Sequence, residues 1–189
     1  MSDYKEFLKI YKTDQIDHPT GGSLFVHLCR VYELLKEWKN PEKVCRAGLF
    51  HSIYGTTKFT QQTLSLEERS LVQKTIGKEA EYYAYLFCAI DRFNSFYRFS
   101  SSYSPLNPQD YRKMNFYNRF TDKTIFLSLK EYKILMEINL ANTIDYIENN
   151  TDINIDYLFK VIHRTTAYRS FLSPLGYERF LKYFHLNTG

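Results

Sequence analysis

The chain carries three cysteines in 189 residues, Cys29, Cys45 and Cys88, far apart and with no CxxC pair. That pattern leaves out zinc ribbons and dithiol redox motifs. All three stand in apolar helical contexts, where a free cysteine acts as a small hydrophobe, and the expected compartment is reducing and cytoplasmic. No stretch reaches the ~18 apolar residues of a membrane span. The opening MSDYKEFLKIYK is charged throughout and lacks the apolar centre of a signal peptide, so no membrane partner is expected. No run of five lysines and arginines occurs, and signs alternate, as in Lys36-Glu37 and Glu67-Glu68-Arg69. The net charge of +4 is therefore spread along the chain, and nucleic-acid binding, which needs a clustered basic face, is not expected. Strand signals are scarce, and no internal repeat or low-complexity tract is visible.

What the chain has in quantity is aromatic side chains, 17 Tyr and 15 Phe, within an ordinary globular composition of 44% hydrophobic and 24% charged residues. Aromatics supply large apolar area, and a buried tyrosine needs a partner for its hydroxyl; core is their first use and a tyrosine-lined pocket the second. The length suits one domain over 1–189. Helical periodicity runs through most of it. Leu24, Leu28, Val31, Leu35 and Trp38 recur at three- and four-residue steps and predict a helix over 23–39. Pro41 opens the next, over 41–54, with Gly55 closing it. Ser65-x-x-Glu68 and Ser128-x-x-Glu131 are capping boxes that open helices over 65–76 and 128–148. Further helices are expected over 2–12, 78–97, 154–167 and 174–186, a polar loop over 56–64, and an irregular, Ser-, Pro- and Tyr-rich stretch over 98–121 of the kind that often serves as a lid. The fold class is all-α, seven to eight helices around one core.

Three ionisable residues fall on the apolar faces of these helices. His27 follows Leu24 by three and precedes Val31 by four; His51 follows Ala47 by four; Asp91 follows Phe87 by four. A buried carboxylate is costly unless paired or metal-bound. Singly, each histidine reads as a core residue, and Asp91 as an ion-pair partner of Arg92, Arg112 or Arg119. Together, two imidazoles and a carboxylate are the ligand set of a mononuclear non-haem iron site, and also serve zinc and other divalent ions.

These residues carry a family resemblance. His27 in HLCRVYELL resembles the first histidine of the HD-domain superfamily, VCRAGLFHSIYG its His-Asp segment, and AIDRF its final Asp segment, in the same order and with 24 and then 40 residues between the three positions. The resemblance spans about 18–95, with helices over 128–186 completing the bundle. HPTGGSLFVHL, NPEKVCRAGLFHSIYGT and the later ANTIDYIE look like a divergent HD-like family of unknown function. The resemblance implies an HD-like helical bundle, with His27, His51 and Asp91 as ligands of one divalent ion (iron, manganese or zinc) and His18 as a fourth. Ser52 stands where that superfamily has aspartate, which removes the bridging carboxylate of a two-metal centre.

The implied function is a metal-dependent enzyme acting on a small molecule. Phosphohydrolase-type hydrolysis ranks marginally ahead of mononuclear non-haem iron oxidation, with Arg92, Tyr54, Ser52 and Arg119 contacting substrate. The alternative is a catalytically inactive HD-like module that lost its metal with Ser52 and binds an anionic or aromatic ligand, or a protein partner. A homodimer formed through apolar helices is a third reading. Ser52 does not read as a nucleophile served by His51: helix neighbours point about 100° apart, and no GxSxG elbow is present.

Overall fold

A computed structural model describes residues 2–92, 95–96 and 114–186. Arg112, most of the 98–121 stretch and the side chain of His185 lie outside the described residues. Eight α-helices are present among them: α1 (Ser2–Ile10), α2 (Leu24–Glu37), α3 (Glu42–Leu49), α4 (Arg69–Ile76), α5 (Lys78–Ala89), α6 (Leu129–Asn149), α7 (Ile155–Ala167) and α8 (Pro174–Leu186). None of the described helices is long and apolar enough to cross a membrane.

The start signals act as expected. Ser23 caps α2 through Val26 N–H, and Ser128 caps α6 within a complete capping box. The box at Ser65–Glu68 forms too, but it opens a 3₁₀ turn that leads into α4 at Arg69. Gly77, at φ 90°, separates α4 from α5 in a backbone conformation that suits glycine.

The structure corrects the sequence at two helix ends and in one loop. The helix expected over 41–54 stops at Leu49. Beyond it the chain winds on in tighter three-residue turns, with Phe50, His51, Ile53 and Gly55 N–H bonding to Ala47, Gly48, Phe50 and Ser52 carbonyls. The apolar spacing therefore persists past the true helix end. The helix expected over 78–97 stops at Ala89, because Ile90 turns extended and bridges to Asn118. The third difference makes the molecule mostly helical rather than wholly so. Asn115–Asn118 (β1) and Lys123–Phe126 (β2) pair as an antiparallel hairpin, register Phe116 to Ile125. β1 alternates exposed and buried, with Phe116 and Asn118 inward, a period of two within a stretch read as irregular.

One continuous apolar core runs from Leu8 to Phe180. α3 lies at its centre, packed on α2, α5 and α6, and α2 also packs on α6. The close approach of α3 to α2 is made at Gly48, where an added Cβ would lie 2.2 Å from Leu35 Cδ1. This crossing brings the chain segments that hold His27 and His51 together.

Candidate functional site

His27 projects from the first turn of α2 and His51 from the turn that follows α3; both are buried. Their Nε2 atoms lie 3.2 Å apart. The opposite nitrogen of each ring is fixed. His27 Nδ1 lies 2.6 Å from Asp145 Oδ2 and His51 Nδ1 lies 2.7 Å from the Gly48 carbonyl. A carboxylate and a carbonyl can only accept, so both Nδ1 atoms carry the proton in the neutral rings. With both rings neutral, the two Nε2 atoms face one another as lone pairs. Asn142, on α6, places Oδ1 3.0 Å from His51 Nε2, a third acceptor at the same point. Burial, and next the neighbouring His27, push the His51 pKa well below its ordinary value.

Such a surplus of acceptors is relieved by a cation. Two nitrogens bonded to one ion at about 2.0–2.1 Å, at a tetrahedral angle, sit about 3.3 Å apart. Imidazoles that bind metal characteristically give their other N–H to a carboxylate or a backbone carbonyl. The pair and its supports thus fit one ion held by two imidazoles and an amide oxygen. They do not form a carboxylate-bridged pair. Among the described residues no three His, Cys, Asp or Glu side chains are grouped to hold a metal; an ion between the two imidazoles would take the Asn142 amide oxygen as its third donor.

Asp145, on α6 and buried, anchors this arrangement from behind. Arg30 Nε lies 2.7 Å from its Oδ1, and Asn149 Nδ2 donates to the same oxygen. Arg30 also donates to Asn149 and to Thr20 Oγ1. Thr20 in turn lies 2.8 Å from His18 Nδ1, on the loop that Gly21 and Gly22 turn at positive φ. His18 stacks on His27, with ring centroids 4.0 Å apart. Burial, with help from His27 and Arg30, lowers its pKa to about 3.

Above this cluster opens a cleft of about 630 Å³, with His18, Ser52, Arg92 and Asn142 on its walls. Its size is that of a small-molecule site. Lys58, Arg92, Lys160 and Arg164 line it against a single carboxylate among the described lining residues, Asp156. Asn139, Asn142, Thr143 and Tyr146 form its α6 wall, at the three- and four-residue steps of one helix face.

Of the residues singled out in the sequence, His18, His27, His51, Ser52 and Arg92 come together here. Asp91 does not line the cleft. With α5 ended at Ala89 it no longer follows Phe87 around a continuous helix, and the carboxylate that meets His27 is Asp145 instead. Tyr54 is turned away, its hydroxyl donating to buried Glu81 at 3.0 Å. Arg119 clamps two chain segments, donating to the Cys88 and Gly55 carbonyls. Sequence reasoning missed Asn142 and Asp145. The available signal was the i, i+3, i+7 spacing of Asn142, Asp145 and Asn149 along a helix otherwise buried through Leu135, Ile138, Ala141 and Ile144.

Residues 7–92 match the model of a family described as a domain of unknown function (DUF6817). That stretch contains His18, His27, His51, Ser52 and Arg92 and ends before Asn142 and Asp145. No curated protein and no solved structure matches the chain.

Proposed function

We propose that the chain is a metal-dependent enzyme of the HD-like class, holding one divalent ion between His27 and His51 and hydrolysing a small molecule, phosphohydrolase-type. The observation that carries this reading is the pair of Nε2 lone pairs 3.2 Å apart, each on a ring whose Nδ1–H is already committed. When bound, the ion supplies Lewis-acid activation of water and of the scissile ester. The chain's own residues do the rest. Asp145 fixes the tautomer of His27 and makes it a better donor. Asn142 completes the donor set, and the Ser52 hydroxyl offers a neutral hydrogen-bond partner on the cleft wall.

Hydrolysis is preferred to iron-dependent oxidation because the oxidative site needs a carboxylate beside the two imidazoles. Asp145 meets His27 at Nδ1, on the side away from His51. A second reading, a metal-free ligand-binding module, is favoured by the neutral Ser52 and Asn142 at positions where carboxylates would hold a cation more strongly. The test is turnover of p-nitrophenyl phosphate by chelator-treated protein, with manganese, iron(II) or zinc restored in turn. The enzyme reading expects activity only with metal, and loss of it in a folded His51→Ala variant. Equal activity in that variant, or none with any metal, would favour the module.

A further inference from the structure

Arg92 has no part in holding the ion, and its surroundings are unusual for an arginine. Its guanidinium carbon lies 3.4 Å from the centre of the Phe87 ring, whose other contacts include an edge-on packing with His51 at 4.9 Å. Its Nε is buried and has no hydrogen-bond partner among the described residues. Burial pushes its pKa down, to about 9, and the nearby Cys88 and Asp91 oppose this only in part. At neutral pH it is therefore still a cation, partly stripped of water; the stacking on Phe87 covers its face, while its Nε–H has no partner among the described residues. A buried N–H left without an acceptor is costly. It persists in proteins mainly where a ligand completes it.

The cleft around it indicates the complement. Lys160 lines the same space, and Phe59, Tyr146 and Tyr157 give it aromatic walls. Tyr146 and Tyr157 pack edge to face, 5.5 Å apart. Burial holds Tyr157 protonated, with its pKa pushed up to about 12, so its hydroxyl adds no negative charge.

We propose that Arg92 anchors an oxyanion subsite that works without the metal ion, binding the carboxylate or phosphate group of a ring-bearing ligand whose ring lies against Phe59, Tyr146 and Tyr157. The inference rests on the same cleft being the working site, but not on the ion. A planar guanidinium offers a fork of donors to either oxyanion, and the aromatic walls remove the ring from water. The metal pair at the cleft floor would then face a group already positioned by Arg92.

The test is calorimetric titration of chelator-treated, full-length protein with phenyl phosphate, benzoate, inorganic phosphate and phenol. Binding of phenyl phosphate or benzoate, with phenol and inorganic phosphate at least about tenfold weaker, is the expected result; which of the two ring anions binds tighter assigns the oxyanion. Arg92→Met should weaken that binding by about tenfold or more while raising the melting temperature of the ligand-free protein, because a desolvated charge is removed. A purely structural Arg92 would do the reverse, lowering the melting temperature and leaving affinity intact. Arg92→Lys keeps the charge but not the fork and should bind with intermediate affinity. No binding of either ring anion to the metal-free protein, or equal binding by Arg92→Met, overturns the proposal. A His27→Ala variant that still binds phenyl phosphate separates the two ideas, since the anion subsite would stand while the ion site is lost.

Discussion

Glu81, in the first turn of α5, and Arg92, just past its end, are both ionic groups set into an aromatic interior, yet their surroundings differ completely. Glu81 is fully buried, and both of its oxygens are taken. Arg69 donates to them through Nε and Nη2 at 2.7 and 3.0 Å, Gln73 through its amide, and Tyr54 through its hydroxyl. Arg69 also stacks on Tyr85. Around Arg92, His27 and His51 the count comes out uneven: with neutral rings, acceptors face acceptors at the Nε2 pair, and among the described residues Arg92 Nε has no acceptor. A saturated buried cluster is a brace between helices. An unsaturated one, opening on a cleft, has the form of a site that a ligand completes.

The comparison can be broken most directly at the brace. Glu81→Ala leaves Arg69 and Tyr54 without their acceptor and should cost about 3–5 kcal/mol, read as a lower midpoint in urea unfolding. Arg92→Met should move that midpoint the other way. If both substitutions destabilise alike, the contrast between the two clusters is wrong. Next in size is Asp145→Asn. An amide cannot hold His27 Nδ1–H and the Arg30 cation as a carboxylate does, and zinc or manganese affinity should fall about ten- to a hundredfold in titration. Unchanged affinity would detach Asp145 from the site.

Gly48→Ala probes the scaffold under the site. The new methyl meets Cδ1 of the fully buried Leu35, and a loss of about 1–3 kcal/mol is expected. A neutral result would mean that α2 and α3 separate freely, and that the 3.2 Å approach of the histidines is not held by their packing. A further effect is that of pH. His18, with its pKa lowered to about 3, and His51, lowered well below its ordinary value, bind protons in the unfolded chain but not in the folded one. From about pH 6.5 downward the unfolded state therefore holds more protons, and stability present above that pH is lost as it falls. Urea midpoints at pH about 7.5 and about 5 check this, and a higher midpoint at the acid value would contradict it.

Much of this was legible in the sequence because it is carried by local pattern. The apolar stripe of α2 placed His27 inward, the capping box at Ser128 placed α6, and the inward positions of His27, His51 and Asp91 pointed to a shared site, of which the structure brings the two histidines together. What was not legible depended on where helices stop. Ile90 leaves α5 because Asn118 pairs with it and Arg119 N–H reaches the Ala89 carbonyl, partners too distant in sequence to be seen in a window around Asp91. His51 kept its inward direction although α3 ends before it, because the tighter turns continue the winding and its ring is tied back to Gly48. Asp145 and Asn142 were hidden differently. Their helix has apolar residues on nearly all sides, so that two polar side chains facing α2 and the turn after α3 do not stand out by periodicity.

The measurement that bears most directly on the central claim is the metal content of protein purified without a histidine tag, beside a His27→Ala variant shown to be folded. The lone-pair geometry of His27 and His51 predicts about one equivalent of a divalent ion, zinc, manganese or iron, in the parent and close to none in the variant. No metal in either protein, even after anaerobic reconstitution with iron(II) and titration with zinc and manganese, would contradict it and leave the cleft as a metal-free binding site.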